Sequence, residues 1–152
     1  MEKIAEIQKI TELLLEKLMI KTTFAITEKD QLYLIQIEEN DDASLLIGKH
    51  GATLRSLQAI LEAMLFKKFQ EPVKILVNIG DYRERQKERV EEIAQQAATR
   101  VINENREAVL RFFSPFERKL IHEYITAKFT ELTSYSEGEA AKRVLIIKNK
   151  EK

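Results

Sequence analysis

Ile4, Ile7, Thr11, Leu14 and Leu18 recur at three- and four-residue intervals, which predicts an amphipathic helix over roughly 2–19. Two strand-like runs follow, Thr22–Thr27 and Leu32–Glu38, with Glu28–Gln31 as the turn between them. Asp41 and Asp42 are placed to open a short helix by accepting backbone N–H bonds, and Ala43–Ile47 supplies its apolar turn. Gly48 ends that helix. A second one starts after Gly51, with Leu54, Leu57, Leu61, Met64 and Leu65 as its packed stripe. Beyond Pro72, Val73, Ile75, Val77 and Ile79 alternate as strand residues do.

Gly80 and Asp81 break that strand, and Asp81 is a suitable cap for a long helix over roughly 82–106. Its expected buried positions are Val90, Ile93, Ala94, Ala97 and Val101. Arg83, Arg85, Lys87 and Arg89 crowd its first turns, where cations oppose the helix dipole. Either Glu84, Glu88 and Glu92 hold them or they serve a polyanion. A short strand, Ala108–Phe112, leads into Ser114-Pro115-Phe116-Glu117, a capping box with proline at the first helical position. That box starts a helix whose core side is Phe116, Leu120, Ile121 and Tyr124. The last segment reads as a hairpin: Phe129–Tyr135, a turn at Ser136–Gly138, then Arg143–Lys148.

Composition narrows the function classes. The chain has 152 residues, 44% hydrophobic and 33% charged, as a globular protein of one or two domains does. It has no cysteine, which removes disulfides and thiolate metal sites and fits a reducing cytoplasm. No charge-free apolar run approaches the ~20 residues that span a bilayer, and the acid-interrupted start has no signal-peptide core. A cytoplasmic location without membrane insertion is expected. Residues 1–80 carry 10 Lys/Arg against 12 Asp/Glu, and residues 81–152 carry 15 against 13. With no net field to attract a polyanion, any grip on nucleic acid has to come from local geometry.

The clearest local chemistry lies at Gly48-Lys49-His50-Gly51. Two glycines three apart allow a tight turn and remove side chains that would hold a ligand's backbone away. N–H groups near Ala52 and Thr53, at the start of the second helix, are expected to face an anion favoured by the helix dipole. Lys49 and His50 add one full and one titratable charge. A phosphodiester fits there, with bases across a groove walled by Ile47, Leu54 and the neighbouring strand. In isolation such a glycine pair more often just turns a helical hairpin. Here the apolar Leu45-Leu46-Ile47 before it, and the long helix and alternating strand after it, make an arrangement similar to the KH domain, and that resemblance favours nucleic acid.

Arg118 and His122 are four apart and share a face of the capped helix. Arginine offers a planar fork for phosphate, and histidine can hydrogen-bond or stack. Alone, the pair is a weak signal, and a histidine satisfied by a neighbouring carbonyl is the plainer account.

Helix, two strands, helix, glycine-bounded loop, helix and strand resemble a type II KH domain (α-β-β-α-α-β), which clamps about four nucleotides with such a loop. SPFERKLIHEY at 114–124, followed by Thr133–Gly138 and Lys142-Arg143-Val144-Leu145-Ile146, is similar to the R-three-H domain, named for its Arg and His. Joined in this order, with LLIGKHGATLRSLQAIL and the DYRER segment at Asp81–Arg85, they resemble the bacterial Jag family, also called KhpB or SpoIIIJ-associated protein. The resemblance implies an α+β chain: a KH domain over 1–80, then a small α/β R-three-H domain over 81–152 with a long connecting helix. It implies single-stranded RNA, or single-stranded DNA, as ligand of both domains. The expected contacts are Ile47, Gly48, Lys49, His50, Gly51, Thr53, Arg55, Arg83, Arg118, His122, Lys142 and Arg143. It also implies RNA-level regulation or RNA chaperoning linked to cell elongation and envelope synthesis, with a second copy or a small KH protein as partner. Two departures stand out. The KH-like part is expected to begin at or near the first residue, without the extra N-terminal domain of many members, and Asn78 stands where an aspartate is common.

No catalytic residue, metal or cofactor is expected. Neither of the two histidines sits in a metal-ligand spacing or beside an acid placed to activate it. Glu117 is explained by the cap, and Lys49 lacks a surrounding P-loop pattern. A protein scaffold, docking through the Ile4–Leu18 helix or the charged 82–106 helix, is the other alternative.

Overall fold

The computed structural model describes residues 2–150. Its elements are α1 (Glu2–Lys17), β1 (Phe24–Lys29), β2 (Leu32–Ile37), α2 (Ala43–Ile47), α3 (Ala52–Phe69), β3 (Lys74–Ile79), α4 (Tyr82–Glu104), β4 (Ala108–Leu110), α5 (Pro115–Lys128), β5 (Leu132–Glu137) and β6 (Val144–Asn149). Single 3-10 turns occupy Lys49–Gly51 and Ala140–Lys142. The fold is α+β, and the chain divides into two compact units between Arg83 and Glu84.

In the first unit β2 pairs antiparallel with β1 and parallel with β3. Tyr33, Ile35, Ile37, Ile75, Val77 and Ile79 share one face because strand side chains alternate, and all are buried. Ile7 and Leu15 of α1, Leu46 of α2, and Leu54, Leu57, Leu61 and Leu65 of α3 complete that core. Each such side chain contributes about 1.5–3 kcal/mol through burial. Thr11 lies in this core at little cost, since its hydroxyl donates to the Ile7 carbonyl one turn back at 2.8 Å.

Several boundaries differ from the expected ones. Helix α1 stops at Lys17 because Met19 takes φ 59°. Ile20 N–H then reaches the Leu15 carbonyl at 3.0 Å and the Ile20 side chain is buried, while Leu18 is left exposed. The β1–β2 turn is only Asp30-Gln31, both at positive φ, and β1 runs on through Glu28 and Lys29. Those polar residues belong to an edge strand, which tolerates charge. Neither Asp41 nor Asp42 caps α2: the N-cap Asp42 makes no side-chain bond, and Asn40 Oδ1 instead accepts from the Asp42 N–H at 2.9 Å.

In the second unit β6 is the central strand, antiparallel to β4 and β5. Val90, Ala94, Ala97, Ala98 and Val101 of α4 pack with Ile121 and Ile125 of α5 and Leu132, Leu145 and Ile147 of the sheet. Ile93 is only half-buried, while Gln86 and Ala98 take buried places. Phe116 is exposed, so the core side of α5 is Ile121 and Ile125 with Leu120 and Tyr124 half-buried. Strand β4 ends at Leu110, two residues short of the expected limit, where Phe112 turns to φ 66°. The closing hairpin pairs Leu132–Glu137 with Val144–Asn149, so the expected turn residues Ser136 and Glu137 are in the strand.

The capping box at α5 is formed: Glu117 N–H donates to Ser114 Oγ at 3.2 Å, and Ser114 N–H donates to Glu117 Oε2 at 2.9 Å. Glu117 is fully buried, and Arg89 Nη2 and Gln86 Nε2 donate to its Oε1 at 2.6 and 3.3 Å. Ser114→Ala removes one arm of this arrangement and is expected to cost about 1 kcal/mol in urea unfolding. A stability unchanged within error would contradict the role given to the cap.

Candidate nucleic-acid interface

Three of the four residues Gly48–Gly51 hold positive φ: Gly48 at 69°, His50 at 53° and Gly51 at 73°. At Gly48 ψ is −179°, a region open in practice only to glycine. A Cβ there would also lie 2.2 Å from Thr53 Oγ1 and 2.9 Å from the Thr53 nitrogen. A Cβ at Gly51 would lie 2.7 Å from the Tyr82 hydroxyl, the movable tip of a side chain. Gly51 is buried while Lys49 and His50 are exposed, and neither of these two side chains bonds to another described residue. Arg55, one turn into α3, donates from Nη1 to the His50 carbonyl at 2.7 Å and so fastens the loop.

The N–H groups at the start of α3 are partly used, which corrects the expectation for Ala52. Its N–H closes the loop onto the Lys49 carbonyl. Helix α3 has no side-chain cap, because glycine stands at the N-cap, so the next donors of its first turn receive no such bond. Ile47 is half-buried against the core beside the loop, and Thr53 covers Gly48.

Arg83 has a local task. Its Nε and Nη2 both donate to the Val77 carbonyl, at 2.9 and 2.7 Å, and its N–H points to Asn78 Oδ1 at 3.4 Å. Asn78 is buried and donates to Gln36 Oε1 at 3.0 Å and to the Gly80 carbonyl at 3.3 Å. An aspartate could not donate to these acceptors, so the amide suits this polar cluster. Of the other early cations of α4, Arg89 is held by Glu117 and Lys87 by Glu91, at 3.8 Å, and neither acid belongs to the set expected from sequence.

In the second unit Arg118, His122 and Arg143 line one open groove of about 480 Å³ with Lys119, Ser134 and Tyr135. His122 Nδ1 lies 2.7 Å from Ser134 Oγ, so a hydroxyl, not a carbonyl, orients the ring. Arg118 Nη1 donates to the Phe113 carbonyl and Arg143 Nη1 to the Gly138 carbonyl, at 2.7 and 2.8 Å. Each guanidinium has five donors, so most remain for a ligand. Lys142 sits in the 3-10 turn next to Arg143 and does not line the groove. Ser134, Ser136, Tyr135 and Tyr82 were not singled out from sequence. The 12 residues separating His122 from Ser134 follow no helical or strand spacing, so only the fold joins them.

Among the described residues no helix is long and apolar enough to cross a membrane, and no cluster of three His, Cys, Asp or Glu side chains could hold a metal.

Fold and site together define a KH domain followed by an R-three-H domain. The family description "KhpA/KhpB, KH domain" matches residues 5–79, and that of the R-three-H domain matches residues 88–149. The chain belongs to the KhpB, or Jag, family. It is 28% identical to the RNA-binding protein KhpB of Streptococcus pneumoniae over 93% of its own length and 43% of that protein. It is 34% identical to the KhpB of Clostridium symbiosum over 72% of its length and 49% of the relative, and 30% identical to that of Bacillus subtilis over 72% and 53%. The chain thus spans about half, or less, of the curated relatives it matches.

The two loop glycines give separable expectations. Gly48→Ala meets backbone and a forbidden ψ and is expected to cost about 2–4 kcal/mol; Gly51→Ala meets only the tip of Tyr82 and a left-handed φ and should cost about 1–2 kcal/mol. Urea unfolding of the two variants checks the order, and equal costs would contradict the geometry at Gly48.

Proposed function

We propose that this protein binds single-stranded RNA at two places, the Gly48–Gly51 loop and the Arg118–His122–Arg143 groove, and performs no catalysis. The observation that carries the reading is the loop itself. Glycines keep its backbone bare, and Lys49 and His50 stand exposed without side-chain partners among the described residues. A sugar–phosphate backbone can lie against bare main chain, and bases can then fall on the apolar wall beginning at Ile47. In the second unit Arg118 and Arg143 supply planar forks for phosphate beside the His122 ring. The name shared by the relatives, RNA-binding protein, points to the same ligand.

Arg55, Thr53 and Arg83 act in this reading as supports of the loop and of the strand end behind it. Lys142 adds charge at the rim. Residues 1–80 and 81–152 form the two binding domains. The biological role is post-transcriptional regulation or RNA chaperoning in the bacterial cytoplasm, connected with cell elongation and envelope synthesis. A second copy or a small KH protein is the partner. Single-stranded DNA is the competing ligand, and a competition titration ranks the two.

Lys49→Asp/His50→Asp places two negative charges beside the phosphate path in an exposed turn. The variant is expected to stay folded and to lose most RNA affinity, at least tenfold in fluorescence anisotropy. A folded double variant that binds as tightly as the parent would sink the loop's role.

Two sites on one chain make the second contact intramolecular. Affinity for single strands is expected to rise by roughly 100-fold once the strand is long enough to reach both. In Arg118→Ala/His122→Ala a series of strand lengths should give a nearly flat response. The same length dependence in both proteins would remove Arg118 and His122 from the interface.

A further inference from the structure

Phe112 and Phe113 are adjacent, yet the fold treats the two rings oppositely. Phe113 is half-buried against the core of the second unit, and its carbonyl receives Arg118. Phe112 is 81% exposed and sits at φ 66°. A left-handed backbone at a bulky residue is uncommon and strained. The ring recovers little of that through burial. Around it is a second open groove of about 480 Å³, lined by Phe112, Pro115, Ala140 and Ala141 together with Arg118 and Arg143.

Pro115, Arg118 and Arg143 also line the groove that contains His122, so the two hollows adjoin across the pair of guanidiniums. Among the described residues lining either hollow none is acidic. Carbonyls of Phe113 and Gly138 already fix the two arginines, which lowers the ordering cost of meeting an anion. An exposed aromatic face, a wall of proline and alanine, and two oriented guanidiniums match one repeating unit: a flat base joined to a phosphate. A peptide would need an acid at the arginines and an apolar side chain at Phe112, whereas a nucleic-acid strand brings both groups in every repeat.

We propose that Phe112 is a stacking platform for a nucleobase, and that Arg118 and Arg143 hold the phosphate between this base and the next one, in the His122–Tyr135 groove. The inference rests on the RNA-binding reading above and gives it a second base position, on the far side of the arginine pair. Stacking tolerates any base, so the position adds affinity without strong sequence preference.

The test uses the intact chain and a labelled oligoadenylate long enough to reach both domains, with a copy lacking bases as control. Phe112→Ala should weaken oligoadenylate binding by about 5- to 100-fold and leave the salt dependence unchanged, whereas Arg143→Ala should flatten it. Phe112→Trp should bind like the parent. Its indole, the only one in the chain, should be quenched as the strand binds. On the strand without bases, parent and Phe112→Ala should bind alike. If the parent binds oligoadenylate and Phe112→Ala binds equally well, the platform is wrong while RNA binding stands. An equal loss on the strand without bases would also overturn it, by showing that the ring only shapes the loop. If the parent binds no strand, the RNA-binding reading fails and the platform with it.

Discussion

At Gly48 the backbone holds φ 69° and ψ −179°, and Thr53 packs so closely that an added Cβ would lie 2.2 Å from its hydroxyl. That contact lets α2 stop, the chain reverse within a few residues, and α3 begin at Ala52. The direction of α3 then carries Leu54, Leu57, Leu61 and Leu65 into the core against β3. The same reversal leaves Lys49 and His50 outside. One constraint on one residue therefore serves both packing and chemistry, and the loop needs no capping side chain that would compete for a ligand.

The second unit depends in a similar way on a buried carboxylate. Glu117 accepts from Ser114 N–H, Arg89 and Gln86, and a charge so placed is tolerable because donors surround it. It ties the start of α5 to α4. Next in sequence, Arg118 leaves the core and enters the groove, and His122 follows one turn later against Ser134. Core and proposed contact residues thus alternate along a single helix, with Glu117 fixing its position and rotation.

Features set by local chemistry were legible in the amino-acid sequence. Ser114-Pro115-Phe116-Glu117 announced the start of α5 because cap, proline and acid act within one turn. Val73 to Ile79 announced a buried strand, and the glycine pair announced the loop. Helix ends were less legible. Helices α1, α3 and α4 are followed by Met19, Gln70 and Asn105 at positive φ, and only Asn is a usual substitute for glycine there. Partners distant in sequence were not legible either. Ser134 orients His122, Glu117 accepts from Gln86, and Phe112 leaves β4 early through a backbone turn that no residue type signals.

The central claim is that the Gly48–Gly51 loop and the Arg118–His122–Arg143 groove both touch one RNA strand. Amide chemical shifts of the labelled intact chain, followed while a single-stranded RNA long enough to reach both is added, test it most directly. The account predicts concerted shifts at Gly48–Leu54, Arg118, His122, Ser134 and Arg143, with the buried strands β3 and β6 little changed. Shifts confined to other surfaces, such as the apolar groove between Leu15 and Phe24, or no shifts at saturating RNA, would contradict it.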